Sequence, residues 1–326
     1  MAFVIAFLVT LVAMPLCIVA GTALGLVDRP SDDGLKIHVR PVPLTGGVAV
    51  AAGAVVGLAV AEPVPWWLPT AVGLALIVGA ADDARPLSPW IRIAVQGAAG
   101  AVLVIGGVRF EALGIMAAAA VVLATLACAN AVNLMDGQDG LAGGLSAIAA
   151  AGLLLTMPDG GDGGILAVAL CGSLVAFLFW NRPPARVFLG NGGAYAVGVV
   201  LAVLTAPAGR AGWTGLLAAA VCLGPFAYEL ASTVVRRVAR GRSLAIGDRG
   251  HAYDVAAERL GGRTRSTVLF LFLGAASIPV AVGVSRGAPA VALVVTAAYA
   301  GALVLGDVVL RRPRSFTRKV SDEPAR

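Results

Sequence analysis

Residues 66–83 read WWLPTAVGLALIVGAADD, an apolar run about as long as a membrane span that ends on two adjacent carboxylates. A second acidic cluster, NLMDGQDG at residues 133–140, follows another apolar run. Carboxylates near membrane depth are costly and are usually kept for ions, protons or catalysis. These two clusters are therefore the strongest indications of function in the chain.

The composition predicts a polytopic membrane protein. Of the 326 residues, 59% are hydrophobic and only 13% are charged, too few to cover a soluble globule. The mean hydropathy is +0.91. The apolar opening stretch 2–26 lacks a basic leader and precedes further spans, so we expect it to be retained as the first helix. The four cysteines lie in apolar segments without metal-like spacing and are expected to be small buried side chains.

The predicted fold class is all-α, with about 10–11 transmembrane helices. The eleven candidate spans are 2–27, 44–61, 66–81, 92–108, 112–129, 141–157, 164–180, 192–206, 213–235, 265–285 and 289–309. We expect residues 1–309 to form a single transmembrane catalytic domain and residues 310–326 a basic tail that meets anionic lipid.

The basic residues predict the orientation of these spans. The connecting segments alternate between two sides of the membrane. One side holds 28–43, 82–91, 130–140, 181–191, 236–264 and the tail, and the other holds 62–65, 109–111, 158–163, 207–212 and 286–288. Of the 24 Lys and Arg, 21 fall on the first side and 3 on the second. The positive-inside rule makes the first side cytoplasmic, which puts the N-terminus outside and the C-terminus inside.

The unusual polar residues collect on that same cytoplasmic side. They are Asp28, Lys36, His38, Asp82, Asp83, Asn133, Asp136, Asp139, Asn191, Asp248, His251 and Asp254. A transporter would place ionisable groups near the midplane and repeat its two halves, and the sequence has neither feature. The net charge of +6 could suggest nucleic acid as a partner. Because the basic residues collect on one side of the membrane, as the positive-inside rule predicts, nucleic acid is not an expected partner.

The loop residues suggest phosphate and metal chemistry. Adjacent carboxylates such as Asp82 and Asp83 can divide labour, one holding Mg²⁺ and the other orienting or deprotonating a nucleophile, although a helix cap would also explain one of them. The run from Asn133 to Gly140 can fold around a polar ligand, or be a simple Asp-Gly turn. The first and fifth loops are basic and suit phosphate, or are solvated anchors of the positive-inside kind.

The order of these motifs resembles the polyprenyl-phosphate N-acetylhexosamine-1-phosphate transferases, which are integral membrane enzymes. The resemblance spans residues 28 to 262. It is carried by the Asp82-Asp83 loop with Leu87, Pro89 and Gln96, by Asn133 to Gly140, by Lys36-Ile37-His38 through Gly46-Gly47, by Gly190-Asn191, and by Pro225 and Glu229 before Arg236-Arg237.

The resemblance implies that a polyprenyl phosphate attacks the sugar-linked phosphorus of a UDP-sugar and releases UMP at the cytoplasmic face of a bacterial plasma membrane. The implied cofactor is Mg²⁺, with Mn²⁺ as an alternative, and the implied donor sugar is GlcNAc. The implied catalytic residues are Asp82, Asp83, Asp136, Asp139 and His251. The implied substrate-binding residues are Lys36, His38, Asn133, Arg242 and Arg249. The implied metal ligands are Asp82, Asp83, Asn191 and Asp254. A homodimer is left open.

Two departures from the family pattern bear on activity. Asn191 stands where the family has an aspartate that binds magnesium, so the metal affinity is expected to be lower. The His-rich fifth loop keeps only His251, and Asp254 stands near a usual histidine, where it is predicted to supply the missing carboxylate. The alternative is a non-catalytic homologue that binds polyprenyl phosphate or a nucleotide sugar.

Overall fold

The computed structural model describes residues 1–30, 40–158, 163–241, 243 and 250–311. This part of the chain is almost entirely helical. The helices are α1 Ala2–Ala23, α2 Gly46–Ala59, α3 Trp67–Ala84, α4 Pro89–Ile105, α5 Ala117–Met135, α6 Leu141–Thr156, α7 Gly164–Asn181, α8 Gly190–Ala208, α9 Trp213–Cys222, α10 Gly224–Ala239, α11 Ala252–Leu260, α12 Arg263–Arg286 and α13 Pro289–Arg311. Short 3₁₀ turns occur at Glu111–Met116 and Gly209–Ala211.

One small antiparallel pairing accompanies the helices. Strand β1, Val27–Asp28, pairs with strand β2, Val42–Pro43, and closes the loop between α1 and α2. Thr45, which follows β2, donates its hydroxyl to the carbonyl oxygen of Cys17 at 2.7 Å. The ends of the first predicted cytoplasmic loop are therefore fixed at the end of α1.

The prediction of a polytopic helical membrane protein is confirmed. Each of the eleven apolar stretches contains a helix, and seven described helices are long and apolar enough to cross a membrane. Helices α2, α4 and α6 are apolar but shorter. The side on which each terminus lies and the domain assignment stay predictions, and residues 312–326 of the tail lie outside the described residues.

The stretch 213–235, expected to be a single span, consists of two helices with a break between them. Helices α9 and α10 are separated at Leu223 and meet at an angle of 75°. Pro225 occupies the first turn of α10, where the missing amide hydrogen of proline costs little. The apolar composition continues across the break, so hydropathy alone does not reveal it.

Helix α8 forms the centre of the molecule. Every residue of α8 is buried except Asn191, the second residue of the helix. Helices α2, α3, α5 and α6 pack around it. The least buried point of the central helix is thus its N-terminus.

Glycine contacts let these helices approach α8 closely. A β-carbon on Gly79 of α3 would overlap the backbone of Gly192, and one on Gly47 of α2 would overlap Gly193. Packing of small residues is a common way to bring helices together inside membranes. The contact of Gly79 with Gly192 also sets the distance between the end of α3 and the start of α8, where the polar residues lie.

Candidate active site

Asp82 and Asp83, in the last turn of α3, bind different parts of the structure. Oδ1 of Asp82 accepts a hydrogen bond from the backbone amide of Leu87 at 2.8 Å, and Oδ2 lies 3.2 Å from Nη1 of Arg92. Asp83 accepts a hydrogen bond from the backbone amide of Asn191 at 3.1 Å. A carboxylate at the N-terminus of α8 is stabilised by the helix dipole and by the amide groups there.

Asn191 joins three helix ends through its side-chain amide. Its Nδ2 donates to Oδ2 of Asp82 at 2.9 Å, and its Oδ1 accepts from Nδ2 of Asn133 at 2.6 Å. Gly190 before it has a φ of +71°, and a β-carbon there would overlap the carbonyl oxygen of Leu44. The ends of α3 and α5 and the start of α8 are therefore held together at one point.

The loop between α5 and α6 is fixed by the segment that follows α7. Asp139 accepts a hydrogen bond from the amide of Ala185 at 2.9 Å. Asn181 accepts from the amide of Gly140 at 2.8 Å and donates to the carbonyl oxygen of Val187 at 2.9 Å. These bonds make the loop a rigid wall rather than a free turn.

Asp136 lies in this same loop, beyond the end of α5. Burial, together with the negative charges of Asp83 and Asp139, raises the pKa of Asp136 well above its usual range. Like charges in a partly dry site disfavour ionisation of a further carboxyl group. Burial thus disfavours the charged form of Asp136, and the two neighbouring carboxylates add to that effect.

His251 is held by a buried carboxylate on α10. Its Nδ1 lies 2.8 Å from Oε1 of Glu229, which is 0% exposed. The other oxygen of Glu229 accepts a hydrogen bond from the amide of Ala252 at 3.0 Å, and Thr233 donates its hydroxyl to Oε1 at 3.0 Å. A carboxylate bound to one ring nitrogen fixes the orientation and the tautomer of a histidine.

Tyr253 connects the His251 segment to the acidic loop. Its ring stacks on His251 with centroids 5.1 Å apart, and its hydroxyl donates to the carbonyl oxygen of Leu134 at 3.1 Å. Gln138 donates to the carbonyl oxygen of Tyr253 at 3.2 Å. Burial, with the charges of Asp254 and Glu229, raises the pKa of the Tyr253 phenol well above its usual range, so this phenol stays protonated and remains a donor.

One cavity of about 1170 Å³ unites these groups. Its charged lining residues are Asp28, Arg40, Asp82, Asp83, Asp136, Asp139, Arg186, Arg237, His251 and Arg263. Asn133 and Asn191 also line it. Acidic and basic side chains thus share one chamber. The predicted residues Lys36, His38, Arg242 and Arg249 lie outside the described residues.

Asp254 does not join this group. It is buried at the start of α11, 3.5 Å from Nη2 of Arg263, and it is absent from the cavity lining. Arg263 follows it by nine residues at the start of α12. The role of Asp254 as a metal ligand stays a prediction, one to which this geometry lends no support.

Sequence reasoning assigned no role to several residues that shape the site. Glu229 was noted beside Pro225, but its contact with His251 was not predicted, and Asn181 and Arg263 were missed. The sequence did indicate that Glu229 has a polar partner, because a carboxylate within an apolar span needs one. Asn181, at the end of α7, had no comparable signal because its partners lie in two other loops.

The donor groups fit a hard divalent cation in kind. Magnesium prefers carboxylate and amide oxygens. Asp82 and Asp83 supply the carboxylates, and Asn191 supplies an amide; its N–H groups donate to both carboxylates, while its Oδ1 accepts from Asn133. Within the described ranges, no group of three or more His, Cys, Asp or Glu is arranged to hold a metal.

The comparisons with known proteins agree with this class of site. The sequence model of glycosyl transferase family 4 matches residues 66–208. A decaprenyl-phosphate N-acetylglucosaminephosphotransferase of Mycolicibacterium smegmatis is 30% identical over 286 residues, 73% of this chain and 70% of the relative. A probable undecaprenyl-phosphate N-acetylglucosaminyl 1-phosphate transferase of Bacillus subtilis is 28% identical over 292 residues, 83% of this chain and 80% of the relative.

An undecaprenyl-phosphate alpha-N-acetylglucosaminyl 1-phosphate transferase of Escherichia coli K12 is 26% identical over 278 residues, 77% of this chain and 74% of the relative. The chain belongs to glycosyl transferase family 4, and the resemblance seen in the sequence is confirmed.

Proposed function

We propose that this protein transfers N-acetylglucosamine 1-phosphate from a UDP-sugar to a polyprenyl phosphate at the cytoplasmic face of a bacterial plasma membrane. UMP is the second product, and the lipid-linked sugar starts a cell-envelope glycan. The supporting observation is one cavity in which the acidic cluster, four arginines and His251 meet. The names of the relatives support the polyprenyl phosphate and the N-acetylglucosamine 1-phosphate group, and the UDP-sugar donor is what the resemblance in the sequence implies.

The cationic side chains suit two anionic substrates. A polyprenyl phosphate and a UDP-sugar both carry negative charge, so a chamber lined only by acids would repel them. Arginines and a histidine line the same cavity: Arg40, Arg186, Arg237, Arg263 and His251. Arginine binds phosphate oxygens through charge-assisted hydrogen bonds that are stronger than neutral ones. These groups would hold the phosphates while the acids serve the metal and the nucleophile.

The proposed cofactor is Mg²⁺, with Mn²⁺ as an alternative of the same ligand preference. Asp82, Asp83 and Asn191 would hold the ion. When bound, it would neutralise charge on the phosphates as phosphoryl transfer requires.

The proposed step forms one bond and breaks another. An oxygen of the lipid phosphate attacks the sugar-linked phosphorus, and the bond from that phosphorus to the oxygen that bridges to UMP breaks. UMP leaves with the electron pair. In this scheme the carboxylates of Asp82 and Asp83 orient the lipid phosphate, Asn133, Asp136 and Asp139 hold the nucleotide, and His251 contacts the diphosphate.

The test is UMP release by purified protein in detergent. The assay would contain undecaprenyl or decaprenyl phosphate and UDP-GlcNAc, with MgCl₂ or with EDTA. We expect release that needs the metal and falls by about 10²-fold or more in Asp82→Asn and Asp83→Asn, because each variant removes a charge from the reacting centre. No release across a panel of UDP-sugars, despite measurable binding of lipid or nucleotide, would indicate a binding homologue instead.

A further inference from the structure

Asp307, in the last helix, has no role in the proposed reaction, yet it is buried. Of the 23 residues of α13, only Ala292 and Asp307 are buried. The rest of the helix is largely exposed on the outside of the bundle. A carboxylate buried in a helix of this kind is costly unless a partner compensates it.

Arg311 is that partner, and it reaches beyond the helix. Nε of Arg311 lies 2.6 Å from Oδ2 of Asp307, one helical turn away. Nη2 of the same guanidinium donates to the carbonyl oxygen of Gly250 at 3.0 Å. The planar guanidinium can serve two acceptors at once in a fixed geometry. It therefore ties α13 to the backbone immediately before His251.

The other side of this segment is held by α10. Glu229 contacts Nδ1 of His251 and the amide of Ala252. Tyr228, the neighbour of Glu229 on α10, faces the carboxylate of Asp307. Three consecutive residues, 250 to 252, are thus fixed between two helices, and both helices lie outside the segment that the family model matches.

We propose that Asp307 and Arg311 are positioning residues that set His251 against the wall of the cavity. They act through the backbone of Gly250 and touch no reacting atom. The proposal rests on the proposed function in so far as His251 contacts a substrate. A surface ion pair one turn apart would contribute little, but this pair has a buried carboxylate and bonds a carbonyl group 61 residues away in the chain.

The two histidines of the chain allow a direct test of the geometry. NMR spectra of protein labelled with ¹⁵N and ¹³C only in histidine would contain His38 and His251, and a His38→Gln variant assigns them. We expect the ring signals of His251 to shift or split in Arg311→Met and to change less in Arg311→Lys. The matched control is Arg286→Met, because Arg286 is exposed at the far end of α12, 23 residues or about 35 Å from the cavity residue Arg263.

The same variants would be compared in UMP release. We expect Arg311→Met to lose about tenfold or more in rate, because small displacements of a site residue are that costly. In a His251→Ala background the same substitution should cost nothing further, a result that a purely structural role does not give. Arg286→Met should match the unaltered protein.

Unchanged His251 signals in folded Arg311→Met, or equal changes in the Arg286→Met control, would overturn the proposal. If Arg311→Met does not fold, Asp307→Asn takes its place with the same criterion. The NMR arm needs no turnover. An absence of UMP release by the unaltered protein would thus count against the proposed function, while the His251 signals would still decide the positioning role.

Discussion

Asn191 shows how an amide can stand where the resemblance implies an aspartate and still hold the site together. Its Nδ2 donates to Asp82 and its Oδ1 accepts from Asn133. An aspartate would keep the acceptor but lose the donor, and it would add a negative charge beside Asp82 and Asp83. In the absence of metal, the asparagine therefore stabilises this arrangement, whereas a carboxylate at position 191 would be repelled by Asp82 and Asp83.

Asn191→Asp is expected to lower the melting temperature in EDTA and to increase the stabilisation that MgCl₂ gives, because an added carboxylate raises metal affinity. The measurement is thermal unfolding in detergent at increasing Mg²⁺ concentration. Asn130→Asp is the matched control, because Asn130, on α5, likewise donates its side-chain amide to another side chain, Oε1 of Gln96 at 2.7 Å, but is not part of the cavity lining. Equal Mg²⁺ responses of Asn191→Asp and the unaltered protein would contradict this account.

Glu229→Gln is expected to change the tautomer of His251. The glutamine oxygen can accept from the amide of Ala252, and its NH₂ group then faces Nδ1, which must become the acceptor. We expect UMP release to fall about tenfold or more, in line with the 10–100-fold that partners of metal-bound histidines contribute. The ¹⁵N shifts of labelled histidine report the tautomer directly, and an unchanged Nδ1–H signature would show that Glu229 does not determine it.

The sequence predicted seven residues that meet in the cavity, although not how they bond. Asp82, Asp83, Asn133, Asp136, Asp139, Asn191 and His251 all line one cavity. Their catalytic roles stay predictions. The contact of Glu229 with His251 could not be derived, because it depends on how α10 packs after the break at Leu223. The ion pair of Asp254 with Arg263 could not be derived for a similar reason, because it depends on how α11 and α12 are placed.

At the scale of elements, the positions of the helices follow from hydropathy and their contacts follow from small residues. Apolar runs predicted where α1 to α8 lie, because a buried or lipid-facing helix needs an uninterrupted apolar sequence. The close approach of α3 to α8 depends on Gly79 and Gly192, whose meeting is a property of the packed bundle. The same packing brings Asp83 to the amide of Asn191.

Gly79→Ala is expected to push α3 away from α8 and to destabilise the protein by about 1–3 kcal/mol, as overpacking does. Activity should fall as well, because Asp82 and Asp83 move with α3. Gly73→Ala is the control on the same helix, since no atom lies within 4 Å of a β-carbon there. That change should be neutral, or stabilising by up to about 1 kcal/mol. Similar melting temperatures and rates for the two variants would argue against a packing role for Gly79.

At the scale of the whole molecule, the charged residues that line the cavity come from loops on one side of the predicted topology. Its charged residues come from the five loops 28–43, 82–91, 130–140, 181–191 and 236–264. None of them comes from the short loops assigned to the opposite side. The alternation of eleven spans is therefore consistent with the way the described residues assemble, while the side that faces the cytoplasm is still predicted only from the 21 to 3 distribution of Lys and Arg.

Cysteine labelling would test this orientation. In a variant whose four native cysteines are replaced, Glu62→Cys should react with a membrane-impermeant maleimide on intact cells. Arg85→Cys should react only after the membrane is opened. The reverse pattern would place the cavity on the outer side and would remove access to cytoplasmic UDP-sugars.

The central claim is that GlcNAc is transferred to the lipid together with its phosphate. The fate of the two phosphorus atoms of UDP-GlcNAc tests this claim most directly. Purified protein would receive polyprenyl phosphate and UDP-GlcNAc labelled with ³²P either at the sugar-linked phosphorus or at the one next to uridine. We predict that the first label enters the lipid fraction and the second appears in UMP. Lipid that gains GlcNAc without the first label, with UDP as the soluble product, would contradict the account.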